Sequence, residues 1–267
     1  MSSSGKSGGG FKSIFAAIVI PVALLIAIGI YVIILGNPAN FLENNPANNP
    51  SNYLGTIHKG GVIVPILMCL LIVVITFSIE RFITISSSKG SGSIEGFISR
   101  LRSSLAKGDI NAANAECEKQ KGSIANVVKA GLRAYRQMES DTALDKERKI
   151  AAIQKELEEA TTLELPMLSK NLMIISTIAS IATLMGLLGT VIGMIRAFAA
   201  LAQAGAPDAV ALSTGISEAL INTALGIGTS AIAIVMYNFF TNKIDSLTYG
   251  IDEAGYSIVQ TFTANTK

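Results

Sequence analysis

Four windows of this chain carry no charged residue except for a single glutamate: Ile14 to Leu35, Gly61 to Ile79, Asn171 to Ile195, and Leu212 to Phe240, the last holding Glu218. At roughly 1.5 Å per helical residue, each is long enough to cross about 30 Å of hydrocarbon. Lipid offers no hydrogen bonds to an open backbone, so each window is predicted to be a helix, and the lack of strict alternation excludes a β-barrel. Half of the 267 residues are hydrophobic and only 15% are charged, too apolar a mixture for a soluble domain of this size. The first window follows Lys6 and Lys12 and so has the flank of a signal peptide. Its length and the absence of an Ala-x-Ala site at Gly36-Asn37-Pro38 predict a retained span. Pro21 is tolerated there as a kink.

The basic residues orient these spans. Fifteen of the 21 Lys and Arg fall between residues 81 and 170, one (Lys59) in the 36–60 loop and none in the 199–211 loop, while Lys12, Arg81, Lys89, Lys170 and Lys243 flank spans on one side. The predicted order is a cytoplasmic tail 1–13, an N-terminal span 14–35, an Asn/Pro-rich periplasmic loop 36–60, a span 61–79 and a cytoplasmic helical domain 80–170. A span 171–198, a loop 199–211 turning at Gly205-Ala206-Pro207, a span 212–240 and a cytoplasmic C-terminal tail 241–267 complete it. The net charge of +2 gives no argument for nucleic acid. Cys69 and Cys117 cannot make a disulfide framework, and one histidine, His58, leaves little for a metal or triad site, so neither cofactor nor metal is expected.

Within residues 80–170, Ile94, Phe97, Ile98, Leu101 and Leu105 define one apolar helical face, and Lys107-Gly108-Asp109 ends that helix and starts the next. Ile124, Val127, Val128, Gly131 and Leu132 repeat the pattern. A charged helix with the pair Lys155 and Glu159 runs from about Thr142 to Leu165 before a break at Pro166, leading almost continuously into the third span.

The spans also carry polar and small residues in register. In the third, Ser176, Thr183, Thr190 and Ala197 recur every seven residues, and Gly186 and Gly193 form a second such row beside Gly189. A heptad keeps one seam facing a partner helix, and small residues let backbones approach. In the fourth, one stripe is Glu218, Asn222 and Thr229, and another is Thr223, Gly226 and Ser230. Helix packing and pore lining both account for these residues. A carboxylate in or near hydrocarbon is costly unless paired or hydrated, which makes Glu218 a residue of assembly or of ion flow, with Arg196 a candidate charge partner or a snorkelling side chain. The spans contain no Asp, His or Lys, too little for a continuous proton relay. A conducting chain of this composition needs a partner to supply the carrier.

Two strings on consecutive spans carry a resemblance. Gly186-Leu-Leu-Gly-Thr-Val-Ile-Gly193 is similar to GLLGTVxG, and Gly215-Ile-Ser-Glu-Ala-Leu-Ile-Asn-Thr-Ala-Leu-Gly226 to GIxEALxxTAxG; both are signatures of the ExbB and TolQ branch of the MotA/TolQ/ExbB proton-channel family. Gly60-Gly61 with Pro65, Glu80-Arg81, Lys107-Gly108-Asp109, Cys117 and Ala130-Gly131-Leu132 extend it over roughly residues 60 to 245. The resemblance implies an all-α integral membrane protein of the bacterial inner membrane, forming a homo-oligomeric ring, typically a pentamer. The ring would enclose the single spans of a two-copy ExbD- or TolR-like partner, whose aspartate carries protons to energise a TonB- or TolA-like periplasm-spanning protein. The family's pore-facing threonines map onto Thr190 and Thr223 and its glutamate onto Glu218.

The chain departs from that pattern twice. Ile181-Ala182-Thr183-Leu184 stands where many relatives have Ala-Pro, and the family's three-span core is preceded by the extra span 14–35. The rival readings are a structural scaffold without ion conduction and a motility-motor stator subunit. No enzyme is expected, since His58 lies outside the spans next to Lys59, no Ser or Asp pair shares its element and no phosphate loop is present.

Overall fold

A computed structural model describes residues 8–203 and 209–266. Nine α-helices occur among the described residues: α1 (Gly8–Gly29), continued by a π-helical turn (Ile30–Leu35), α2 (Tyr53–Lys59), α3 (Ile63–Lys89), α4 (Ile94–Ala106), α5 (Ile110–Gln120), α6 (Gly122–Ser140), α7 (Lys146–Ser169), α8 (Leu172–Gln203) and α9 (Ala209–Asn265). No strand occurs among them. Four helices are long and apolar enough to cross a membrane, and with no strand to form a barrel wall the protein is a multi-pass helical membrane protein. The turn expected at Gly205-Ala206-Pro207 lies outside the described residues, as does the tail up to residue 7.

The chain divides into two compact units, one of residues up to Ile79 with Met173–Tyr237, the other of Glu80–Leu172 with residues from Asn238 onward. In the first, α1 turns Ala23 and Ala27 inward and leaves Leu24, Leu25 and Ile26 outward, so the small side chains let the helix approach its neighbours while the large ones suit lipid. Phe15 meets Phe77 edge-on at 5.8 Å, and the Cys69 thiol donates to the Ile20 carbonyl.

The second unit has an apolar core. Phe97, Ile98, Leu101 and Leu105 of α4 pack with Cys117 of α5, with Ile124, Val127, Val128 and Leu132 of α6, and with Ile153 and Leu157 of α7. Asp109 caps α5 by accepting from Ala112 N at 2.8 Å. Burial pushes the Cys117 thiol up to about 12, so it remains protonated and acts as a small apolar core residue. Gly90 and Gly122, with φ of +78° and +76°, let two corners touch: a Cβ on Gly90 would lie 2.2 Å from the Gln120 carbonyl, and one on Gly122 2.3 Å from that of Ser88.

Two expectations need correction here. Residues 241–267, read as a tail, continue α9 to Asn265 and insert Ile251, Ala254, Ile258 and Phe262 into this core. The break expected at Pro166 falls instead at Lys170–Asn171. Pro166 is exposed and removes only its own N–H from the ladder, so α7 passes through it. At the stop, the Arg81 guanidinium donates to the carbonyls of Met167 at 3.3 Å and Leu168 at 3.2 Å, satisfying acceptors that the helix end leaves without an intrahelical donor. Asn171 then takes φ +66°.

Arg81 is 2% exposed and is neutralised by Glu80 at 2.5 Å. Burial pushes the Glu80 carboxyl up, but the hydrogen bonds and charge of Arg81, with donors from Thr84 and Asn171, outweigh it and hold the group below the ordinary carboxylate range. Arg81→Ala is expected to destabilise the chain by about 2–4 kcal/mol, read as a lowered thermal midpoint in lipid nanodiscs, because it leaves two carbonyls and a carboxylate without their donor. A depressed folded-state value means that the Glu80 contribution is complete above its unfolded value and is lost as pH falls through the folded one. Glu80→Gln should therefore flatten the acid limb of the stability profile and leave the alkaline side unchanged in shape.

Candidate functional site

Helices α8 and α9 meet along a row of small residues. A Cβ on Gly193 would lie 2.9 Å from Ala219 Cβ, one on Gly189 2.5 Å from Asn222 Cβ, one on Gly215 2.6 Å from Ala197 Cβ, and one on Gly226 2.8 Å from Gly186 Cα. Any side chain at these glycines would push the backbones apart, so the heptad of the third span and the second stripe of the fourth have a shared steric cause.

Inside this seam the Thr190 and Thr223 hydroxyls are hydrogen-bonded to each other. Both also face the Gly186 carbonyl, at 3.2 Å from Thr190 Oγ1 and 3.4 Å from Thr223 Oγ1. Two hydroxyls have two protons, so one donates to Gly186 while the other donates to its partner, and exchanging the roles reverses the pair. Both hydroxyls are half-buried, and either donor order ends on the same carbonyl.

The remaining polar residues divide by environment. Ser230 donates to the Ala179 carbonyl at 2.5 Å, Thr229 is 3% exposed, and Asn222 is 2% exposed with its amide donating to the Gly60 carbonyl at 2.9 Å. These three face protein. Ser176 and Thr183 are half-buried on α8, in the register of Thr190.

Glu218 is half-buried, one turn before Asn222, and lines a cleft of about 400 Å³ with Ser213, Ser217, Thr56 and Lys59. The charges of Lys59 and Arg196 both act on its carboxylate. Arg196 Nη1 lies 3.2 Å from where a Gly61 Cβ would stand, so the guanidinium reaches over the Gly60-Gly61 turn. Lys59, which sequence reasoning passed over as a site residue, lines the cleft with Glu218, and the Arg196 charge is felt there. The signal for Lys59 was its place as the only basic residue of the 36–60 loop, directly before Gly60-Gly61.

The family model of the MotA/TolQ/ExbB proton channel family matches residues 119–253, just over half of the chain and inclusive of both signature strings. Among curated relatives, a putative biopolymer transport protein ExbB-like 3 of Synechocystis is 37% identical over 86 residues, which is 32% of this chain and 41% of that protein. The Tol-Pal system protein TolQ of Pseudomonas aeruginosa is 26% identical over 124 residues, 46% of this chain and 54% of the relative. A biopolymer transport protein ExbB of Salmonella typhimurium is 38% identical over 72 residues, 27% and 30% respectively. In each case the match spans less than two thirds of the relative's own length. With the two strings placed on the facing sides of α8 and α9, and the family model covering the helices that carry them, the chain belongs to the MotA/TolQ/ExbB proton channel family, on its ExbB/TolQ-like side.

Proposed function

We propose that this chain is the ring-forming subunit of an inner-membrane proton channel. With an ExbD- or TolR-like single-span partner it uses the proton motive force to energise a TonB- or TolA-like protein for outer-membrane transport or envelope maintenance. The reading assigns it no catalysis and places both termini in the cytoplasm. One observation carries it: the Thr190–Thr223 hydroxyl pair, held between the two signature strings in a chain whose spans contain a single carboxylate, Glu218, and no Asp, His or Lys. The hydroxyls supply a path, Glu218 sets the field at its mouth, and the partner's carboxylate supplies the carrier.

A scaffold reading has an observation in its favour, the burial of Asn222, Thr229 and Ser230 against protein. It accounts for those three and gives the exposed cleft at Glu218 no role.

Thr223→Val keeps the shape of the side chain and removes the hydroxyl. In vesicles holding the chain with its single-span partner, a pH-sensitive dye should report a proton flux lower by about a hundredfold or more, the range of losing one positioned proton-transfer group. Native mass spectrometry should show the assembly unchanged, with five copies of this chain and two of the partner. Undiminished flux in the variant would remove Thr223 from the path, and a wild-type complex without partner-dependent flux would leave the scaffold reading.

A further inference from the structure

The N-terminal extension is built into the first unit through a chain of side-chain contacts. Asn40, buried, donates to the carbonyls of Ile34 at 2.7 Å and Leu35 at 3.0 Å and accepts from Asn52 at 3.0 Å. Asn52 caps α2 by accepting from Gly55 N at 3.0 Å. The Tyr31 hydroxyl donates to the His58 carbonyl at 3.0 Å, and its ring stacks on the imidazole at 4.5 Å. Burial and the adjacent Lys59 charge hold His58 below its usual range, so the stack is neutral at neutral pH and adds no second cation to the loop.

This network delivers Lys59 to a fixed place. Its ammonium donates to the Ala47 carbonyl at 3.3 Å and lies 5.7 Å from the centre of the Phe41 ring. The next residue, Gly60, is held to α9 by Asn222, one helical turn from Glu218. Lys59 and Glu218 then line the same polar cleft, from the loop side and the helix side. The other groups within electrostatic reach of Glu218 are Arg196 on α8, which is exposed, and Tyr31 on the π-helical turn after α1.

We propose that Lys59 is a positioning residue for the Glu218 carboxylate: the N-terminal extension sets a fixed positive charge across the cleft from it and so forms part of the channel's entrance. This rests on the conducting reading of Glu218. The lysine is held by Phe41 and Ala47 at the edge of the cleft that Glu218 lines, a placement that a membrane anchor alone does not call for. The loop orders the lysine beforehand, so the charge acts without a further loss of side-chain freedom.

The test uses the full complex in vesicles, with Lys59→Cys introduced beside Cys69→Ala and Cys117→Ala, two cysteines that are buried. Relative to the same background carrying Lys59, proton flux should fall about fivefold, the effect of removing one charge at close range in a partly hydrated site. Treatment with trimethylammonium-ethyl methanethiosulfonate should restore it, and the sulfonatoethyl reagent should not. The trimethylammonium group cannot donate to the Ala47 carbonyl, so this rescue separates charge from loop stapling. Unchanged flux in the variant, or equal rescue by both reagents, overturns the proposal. A second readout is independent of conduction: the ratio of cationic to anionic modification rates at the introduced cysteine should fall about fivefold when Glu218→Gln is added. A ratio indifferent to Glu218 overturns the proposal even where flux behaves as expected. A background complex with no partner-dependent flux counts against the conducting reading, and the rate ratio still decides whether the two positions face each other.

Discussion

The close approach of α8 and α9 is the constraint on which the site depends. Gly186, Gly189, Gly193, Gly215 and Gly226 leave no room between the two backbones for a side chain, and the space they save is what brings two threonine hydroxyls into contact. Thr190 turns back to the Gly186 carbonyl one turn earlier on its own helix, and the close approach brings Thr223 of α9 to the same carbonyl. The pair exists because packing forces the hydroxyls to share one carbonyl. The packing of α8 on α9 and the pairing of the two hydroxyls are two consequences of one geometry at this point. Asn222, directly before Thr223, and Ser230, two turns after it, donate to the carbonyls of Gly60 and Ala179.

The seam was legible because small and hydroxyl residues recur every seven positions on α8 and at matching intervals on α9, a pattern with one steric meaning. The faces of α4 and α6 were legible for the same reason. The C-terminal stretch was misread because Lys243, Asp245, Asp252 and Glu253 suggest a solvated tail. Beneath them Ile244, Leu247, Ile251, Ala254, Ile258 and Phe262 step by three and four, and every one is buried. Period outweighs charge when one face of a helix has a core to enter. The helix end near Pro166 was not legible, because the group that satisfies its last carbonyls is a guanidinium 86 residues earlier in the chain. Lys59 escaped notice for a similar reason. Its meaning lies in what stands across the cleft, and sequence spacing carries no information about that.

The extension changes how the family's three-span core is completed in this chain. Asn40, Asn52, Tyr31 and His58 are ordinary loop and helix-end residues taken singly, and together they fix a loop that touches α9 at Gly60. The outcome is a cleft with an acid on one wall and a cation on the other. Under the proposed function, a channel so built is incomplete alone and takes its carrier from a partner.

That incompleteness is the central claim, and proton flux through the chain reconstituted with and without its single-span partner tests it most directly. The account requires vesicles of this chain alone to be tight to protons, flux to appear when the partner is added, and flux to vanish when the partner's membrane carboxylate is neutralised. Proton flux through the chain alone, or flux indifferent to the partner's carboxylate, would contradict it.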